Sequence, residues 1–195
     1  MIHRARFLCA AILSVSVLAS WSVRILAQTP APAHEPDVLY VPTPPEVVDV
    51  MLEETHVTKD DLVYDLGSGD GRILIAAAKK YGARGVGIEI DPVLITRANE
   101  NAAKAGVSDR VKFVNQDIFT ADFHDATVVT LYLLQSINEK LRPKLLQLTP
   151  GTRIVSHIFN MGPEWPAEKV LHVGGSTLSF WTVPQISTTG TGSAK

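Results

Sequence analysis

The 195-residue chain is 46% hydrophobic and 19% charged, which suits one globular domain with its own core plus tails. A formal charge of −2 and a pI near 6.3 lack the basic surface of a nucleic-acid binder and disfavour nucleic acid as a substrate. The single cysteine, Cys9, lies in an N-terminal apolar run, so the folded part has no thiol nucleophile, zinc ligand or disulfide, and no metal site is expected.

Residues 1–27 read as a targeting segment: His3, Arg4 and Arg6 precede an apolar run from Phe7 to Trp21, and Ile25-Leu26-Ala27 offers a cleavage site. At 1.5 Å per residue the run spans roughly 22 Å, short of the roughly 30 Å hydrocarbon core, which favours a cleaved export signal over a permanent anchor. Cys9 precedes most of the run, which argues against a lipoprotein. A mitochondrial presequence is the alternative, since Arg4, Arg6 and Arg24 come before the first acid, Glu35. The expected location is therefore exported, periplasmic or membrane-anchored, with the mitochondrion second. Removing residues 1–27 takes three arginines and no acid, lowering the formal charge from −2 to −5.

A proline-rich linker over residues 28–37 cannot hold a helix, and the domain is expected over 38–185. Thr43, with Pro44, Pro45 and Glu46, reads as a capping box opening a helix whose apolar face is Val47, Val48, Met51 and Leu52. Tyr40 to Pro44 would lie over a pocket as a lid, or the helix is ordinary core cover. Val63 to Arg72 reads Val-Tyr-Asp-Leu-Gly-Ser-Gly-Asp-Gly-Arg, a buried strand running into a glycine turn before a helix to Tyr81, stopped by Gly82. The spacing is G-x-G-x-G, whereas a dinucleotide fingerprint would put its third glycine where Arg72 stands. Asp65 and Asp70 beside Gly67, Ser68, Gly69 and Gly71 would repel a pyrophosphate and suit a ligand carrying an ammonium and a sulfonium. The loop reads as an S-adenosylmethionine site.

A strand over Gly85 to Ile90 follows, with Glu89 at its end, 18 residues beyond Gly71. In a doubly wound fold that position faces a ribose, whose two hydroxyls a carboxylate accepts. Asp91 and Pro92 cap a helix to Ala105, stopped at Gly106. Arg110 to Gln116 is a third strand, with Asp117 and Ile118 at its carboxyl end, where an adenine edge would sit. Ala126 to Leu133 is too apolar for an edge and reads as a central strand. Ser136 and Glu139 box the next helix, which Pro143 should kink or shorten. Thr152 to His157 is a fifth strand, and Val170 to Val173, Gly174-Gly175 and Leu178 to Val183 form an antiparallel hairpin. Residues 186–195 are a polar tail expected to be disordered. The architecture is a doubly wound, mostly parallel α/β sheet with no internal repeat.

Asp65 to Gly71, Glu89, Asp117 and the terminal hairpin together resemble the seven-strand class I S-adenosylmethionine-dependent methyltransferases over residues 38–184. More narrowly, Tyr40-Val41-Pro42-Thr43-Pro44, Tyr64 to Arg72 and Val129-Thr130-Leu131-Tyr132-Leu133-Leu134 resemble the small lysine methyltransferases that include the mitochondrial enzymes modifying the c-subunit of ATP synthase and the adenine nucleotide translocase, with archaeal and bacterial relatives. The resemblance implies a Rossmann-like seven-strand sheet and S-adenosylmethionine as cofactor. Asp65 and Gly67 would hold its methionine end, and Gly69 and Gly71 would allow its close approach. Glu89 would take the ribose, Ile90 would pack on adenine, and Asp117 with the Ile118 N–H would read the adenine edge. The chain lacks the Asn/Asp-Pro-Pro-Tyr motif of many amino-methyltransferases, so no catalytic residue transfers.

An acceptor lysine near pKa 10.4 is neutral about once in 2,500 molecules at pH 7, and a proton must leave before transfer. Tyr132, at a strand end, would orient the amine, or it is a half-buried strand tyrosine. His157 would relay a proton, or it is structural. The leading reading is a monomeric protein-lysine methyltransferase, because the bare core has no insertion to enclose a small substrate. A small-molecule methyltransferase and a non-catalytic binding module are the alternatives.

Overall fold

The computed structural model describes residues 40–185. The residues read as a targeting segment, a proline-rich linker and a polar tail lie outside the described residues. Eleven elements follow one another: α1 (Pro45–Glu54), β1 (Leu62–Leu66), α2 (Arg72–Tyr81), β2 (Arg84–Glu89), α3 (Pro92–Ala105), β3 (Val111–Asn115), β4 (Val128–Leu131), α4 (Gln135–Leu145), β5 (Arg153–His157), β6 (Lys169–Val173) and β7 (Ser176–Thr182). The strands form one sheet in the order β3-β2-β1-β4-β5-β7-β6. The first five are parallel, and β7 runs antiparallel to both β5 and β6, giving the expected seven-strand sheet with a terminal hairpin.

Period-two alternation sends successive side chains of each strand to opposite faces, and both faces are covered. Val63, Phe113, Val128 and Val155 meet α1, α2 and α3 on one side. Leu66, Val129, Leu131 and Ile154 meet α4 on the other, where Phe123, Met161 and Trp165 also pack. No helix separates β3 from β4; residues 116–127 cross there as a loop that buries Ala121 and Phe123. The chain reverses its direction of travel across the sheet between β1 and β4. In open α/β sheets ligands bind outside the carboxyl ends of the strands at such a point.

Two helix starts differ from the capping-box expectation. The N-cap of α1 is Pro44, with Pro45 at the first helical position and no side-chain cap. The Thr43 hydroxyl is instead drawn to His157 Nδ1 at 3.3 Å. The N-cap of α4 is Leu134, which puts Ser136 inside the first turn, and Glu139 accepts from Gln135 Nε2 instead of closing a box. Pro143 falls in the last turn of α4, which ends two residues later. The Asp91 cap is as expected: its carboxylate accepts from the Val93 N–H at 2.8 Å.

Candidate active site

The carboxyl ends of β1, β2, β3 and β4 open onto a cleft of about 650 Å³, within the roughly 300 to 1,000 Å³ typical of small-molecule sites. Its floor is the turn after β1. The Gly67 and Ser68 N–H groups both donate to the Ile88 carbonyl, at 2.9 and 3.0 Å, folding the turn back onto β2. Gly69 and Gly71 have φ of 53° and 79°, a left-handed conformation costly for a side chain. A Cβ on Gly69 would stand 2.5 Å from the Tyr40 ring, and one on Gly71 would stand 2.5 Å from Phe113 Cζ. Gly69 therefore serves the cleft, whereas Gly71 lets α2 start against β3 and does not line the cleft. Of the other site residues expected from the sequence, Asp65, Gly67, Ser68, Gly69, Asp70, Glu89, Ile90, Asp117, Ile118 and Tyr132 line it, and the candidate proton relay His157 does not.

Asp65 is almost fully buried on β1 and pairs in register with Thr130 on β4, whose hydroxyl donates to Oδ1 at 2.7 Å. Burial pushes its carboxyl up to about 7; the Thr130 bond opposes this, and the Glu89 and Asp70 carboxylates add to it. Thr130 has no local sequence signal, because its role exists only through the β1–β4 register. Asp70 is held differently. Arg72 reaches it with both Nε (2.9 Å) and Nη2 (2.7 Å), a forked pair. Although burial alone would raise Asp70, that guanidinium brings its carboxyl below the ordinary value. Its charge is thus spent on Arg72 and not left for a ligand.

Glu89 accepts three backbone N–H groups, Gly69 on Oε2 at 2.9 Å and Ile90 and Asp91 on Oε1 at 2.8 and 3.0 Å. A carboxylate offers about four lone-pair sites, so one remains, on Oε2. Asp117 caps its own turn by accepting from the Phe119 N–H at 2.8 Å. Tyr40, Val41, Pro42 and Thr43 form a strap along the cleft, as the lid reading expects. Arg72 Nη1 donates to the Thr43 carbonyl at 2.9 Å, fastening strap to glycine turn. Phe119, Leu133 and Ile137, not singled out from the sequence, add apolar wall.

The model of the ANTKMT methyltransferase domain matches residues 65–169. The chain belongs to that family. It is 48% identical over 143 residues to a protein-lysine N-methyltransferase of Saccharolobus islandicus, covering 72% of this chain and 88% of that one. Over 173 residues it is 30% identical to the Mus musculus lysine N-methyltransferase named for the C-subunit of ATP synthase, covering 88% of this chain and 68% of that one. A solved structure described as an RNA methyltransferase from Salinibacter ruber in complex with S-adenosyl-L-homocysteine is 57% identical, with a TM-score of 0.73, covering 74% of this chain and 95% of that one.

The cofactor of this methyltransferase is S-adenosylmethionine, and the cleft fits it. Asp65 is a buried acid whose carboxyl is raised first by burial and further by Glu89 and Asp70, a setting in which a ligand ammonium would have its charge neutralised. Glu89 keeps one acceptor site for a hydroxyl, and the Ile88, Ile90 and Leu94 side of the cleft is apolar enough for a base.

Proposed function

We propose that this methyltransferase acts on the ε-amine of a protein lysine. The observation that carries the reading is the charge of the cleft. Asp65, Asp70, Glu89, Asp91 and Asp117 line it against a single cation, Arg72, which Asp70 already pairs. Such a lining attracts a cationic acceptor and repels a phosphodiester. The Saccharolobus and mouse relatives, both named as lysine methyltransferases, support the same choice. The name of the Salinibacter neighbour favours RNA, and the acid lining stands against it.

When bound, S-adenosylmethionine supplies an electrophilic methyl group that is lost in an in-line displacement, so the protein contributes alignment and a site that spares the nucleophile its water. Asp65 and the turn at Gly67 would hold the methionine end. Glu89 would meet the ribose through Oε2, with one hydroxyl as the site stands; accepting two would require surrendering the Gly69 N–H. Ile90 would pack on the adenine, and Asp117 with the Ile118 N–H would read its edge. Tyr132, half-buried in the lining, stands at the acceptor end and offers its hydroxyl and ring face to an amine.

The test is transfer of labelled methyl from S-adenosylmethionine into a cell lysate. The expected product is an acid-stable label on lysine, located by mass spectrometry. Label confined to RNA, or to an organic extract of small molecules, overturns the lysine reading.

A further inference from the structure

His157 ends β5 with 1% of its surface exposed, and three separate parts of the chain converge on it. The Thr43 hydroxyl, from the strap, lies 3.3 Å from Nδ1. The Ser176 hydroxyl, at the start of β7, lies 2.8 Å from Nε2. The Tyr132 ring packs on the imidazole with centroids 4.0 Å apart and planes inclined at 46°. We infer that His157 is a positioning residue for methyl transfer, fixing the Tyr132 ring at the acceptor end of the cleft by clamping the strap to the terminal hairpin. The inference rests on the acceptor role proposed for Tyr132.

The geometry carries it in three steps. An imidazole bonded at both nitrogens cannot rotate about its ring axis without breaking a bond, so its plane is defined by Thr43 and Ser176. A neutral imidazole has one donor and one acceptor nitrogen, which two hydroxyls satisfy together, one donating and one accepting. Tyr132 then rests on a surface that does not move, and Thr43 is held from its other side by Arg72 through the backbone carbonyl. Burial also lowers the imidazole pKa, which keeps the ring neutral and matches a spacer better than a proton relay. Misplacing a reacting group by about 1 Å can cost on the order of 100-fold in rate, so a residue that never touches the acceptor can matter this much.

The experiment is a double-mutant cycle in the full chain, following labelled-methyl incorporation into lysate lysine at saturating S-adenosylmethionine, with S-adenosylhomocysteine affinity measured alongside by calorimetry. His157→Gln should slow labelling by about 10- to 100-fold with little change in cofactor affinity, and should cost nothing further once Tyr132→Leu is present. Because replacing a buried ring strains the fold, Ser176→Ala and Thr43→Val give a second arm. Each removes one hydrogen bond, leaves the ring in place, and should slow labelling by about 2- to 10-fold. Additive losses in the cycle, a loss confined to cofactor affinity, or unchanged labelling in the second arm overturns the inference. If the wild-type chain labels no lysine at all, the acceptor reading fails and this inference falls with it; wild-type labelling with additive losses counts against His157 alone.

Discussion

At Asp65 the environment and the expected role pull in opposite directions. Burial, helped by Glu89 and Asp70, raises the carboxyl from 3.8 to about 7, against the Thr130 hydroxyl bond. The native value lies above the unfolded one, so the cofactor-free fold binds this proton more tightly and loses stability as pH rises from about 4 to 7. The loss is of the order of 4 kcal/mol if Asp65 alone sets it. A bound ammonium reverses that preference. Affinity for S-adenosylmethionine should therefore fall about tenfold per unit below pH 7 and hold level until about pH 8, where the ligand's own amine loses its proton. Calorimetry across pH 5.5 to 8.5 reads this directly, and Asp65→Asn should both weaken binding and flatten the acid limb. An affinity indifferent to pH below 7 would remove Asp65 from the ammonium site. Asp65, Gly67 and Glu89 were legible in the sequence because strand, turn and strand end are encoded within a few residues. Thr130 was not, since its bond spans 65 residues and exists only through strand register. Nor was the occupation of three of the Glu89 acceptor sites by backbone N–H groups, which a residue pattern does not report.

Between elements, the strap and the glycine turn are one assembly. Tyr40 lies over Gly69, its pKa raised by burial and by Asp70, while Arg72 joins Asp70 on one side and the Thr43 carbonyl on the other. Gly69→Ala should thus cost twice, about 1 to 2 kcal/mol for a left-handed alanine and more for the methyl that meets the Tyr40 ring at 2.5 Å. The expected readouts are a lower melting temperature and weaker S-adenosylhomocysteine binding. Adding Tyr40→Ala removes the clash but not the backbone strain, so the double variant should melt higher than the two separate losses imply. Strictly additive losses would show that the ring does not rest on the turn. Strands and glycine stops could be read in advance because periodicity and C-capping are local. The capping box at Thr43 could not, because its hydroxyl meets a histidine 114 residues away, nor could that at Ser136, because the helix starts at Gln135, whose side chain takes Glu139.

Across the whole molecule the arrangement of charge bears on the proposed acceptor and on how the rate should respond to conditions. Five carboxylates line the cleft around one paired arginine, while Tyr132, proposed to face the acceptor, packs on a histidine with both nitrogens engaged. His157 is sealed from solvent and held neutral, so on the lysine reading it does not serve as the base that takes the amine's proton. The rate at saturating cofactor should therefore rise between about pH 7 and 9, close to tenfold per unit, following the neutral fraction of an amine near pKa 10.4. Salt provides the second axis. An RNA acceptor would release counterions on binding, so its affinity would fall steeply with ionic strength, with a logarithmic slope of about −0.7 per phosphate contacted. A lone lysine entering an acid cleft should show only the shallow screening of a few charges. Labelling that climbs with pH and changes little between about 50 and 200 mM salt supports the amine. Flat dependence on pH with a steep loss in salt would mean that the acid cleft takes its acceptor from a nucleic acid after all.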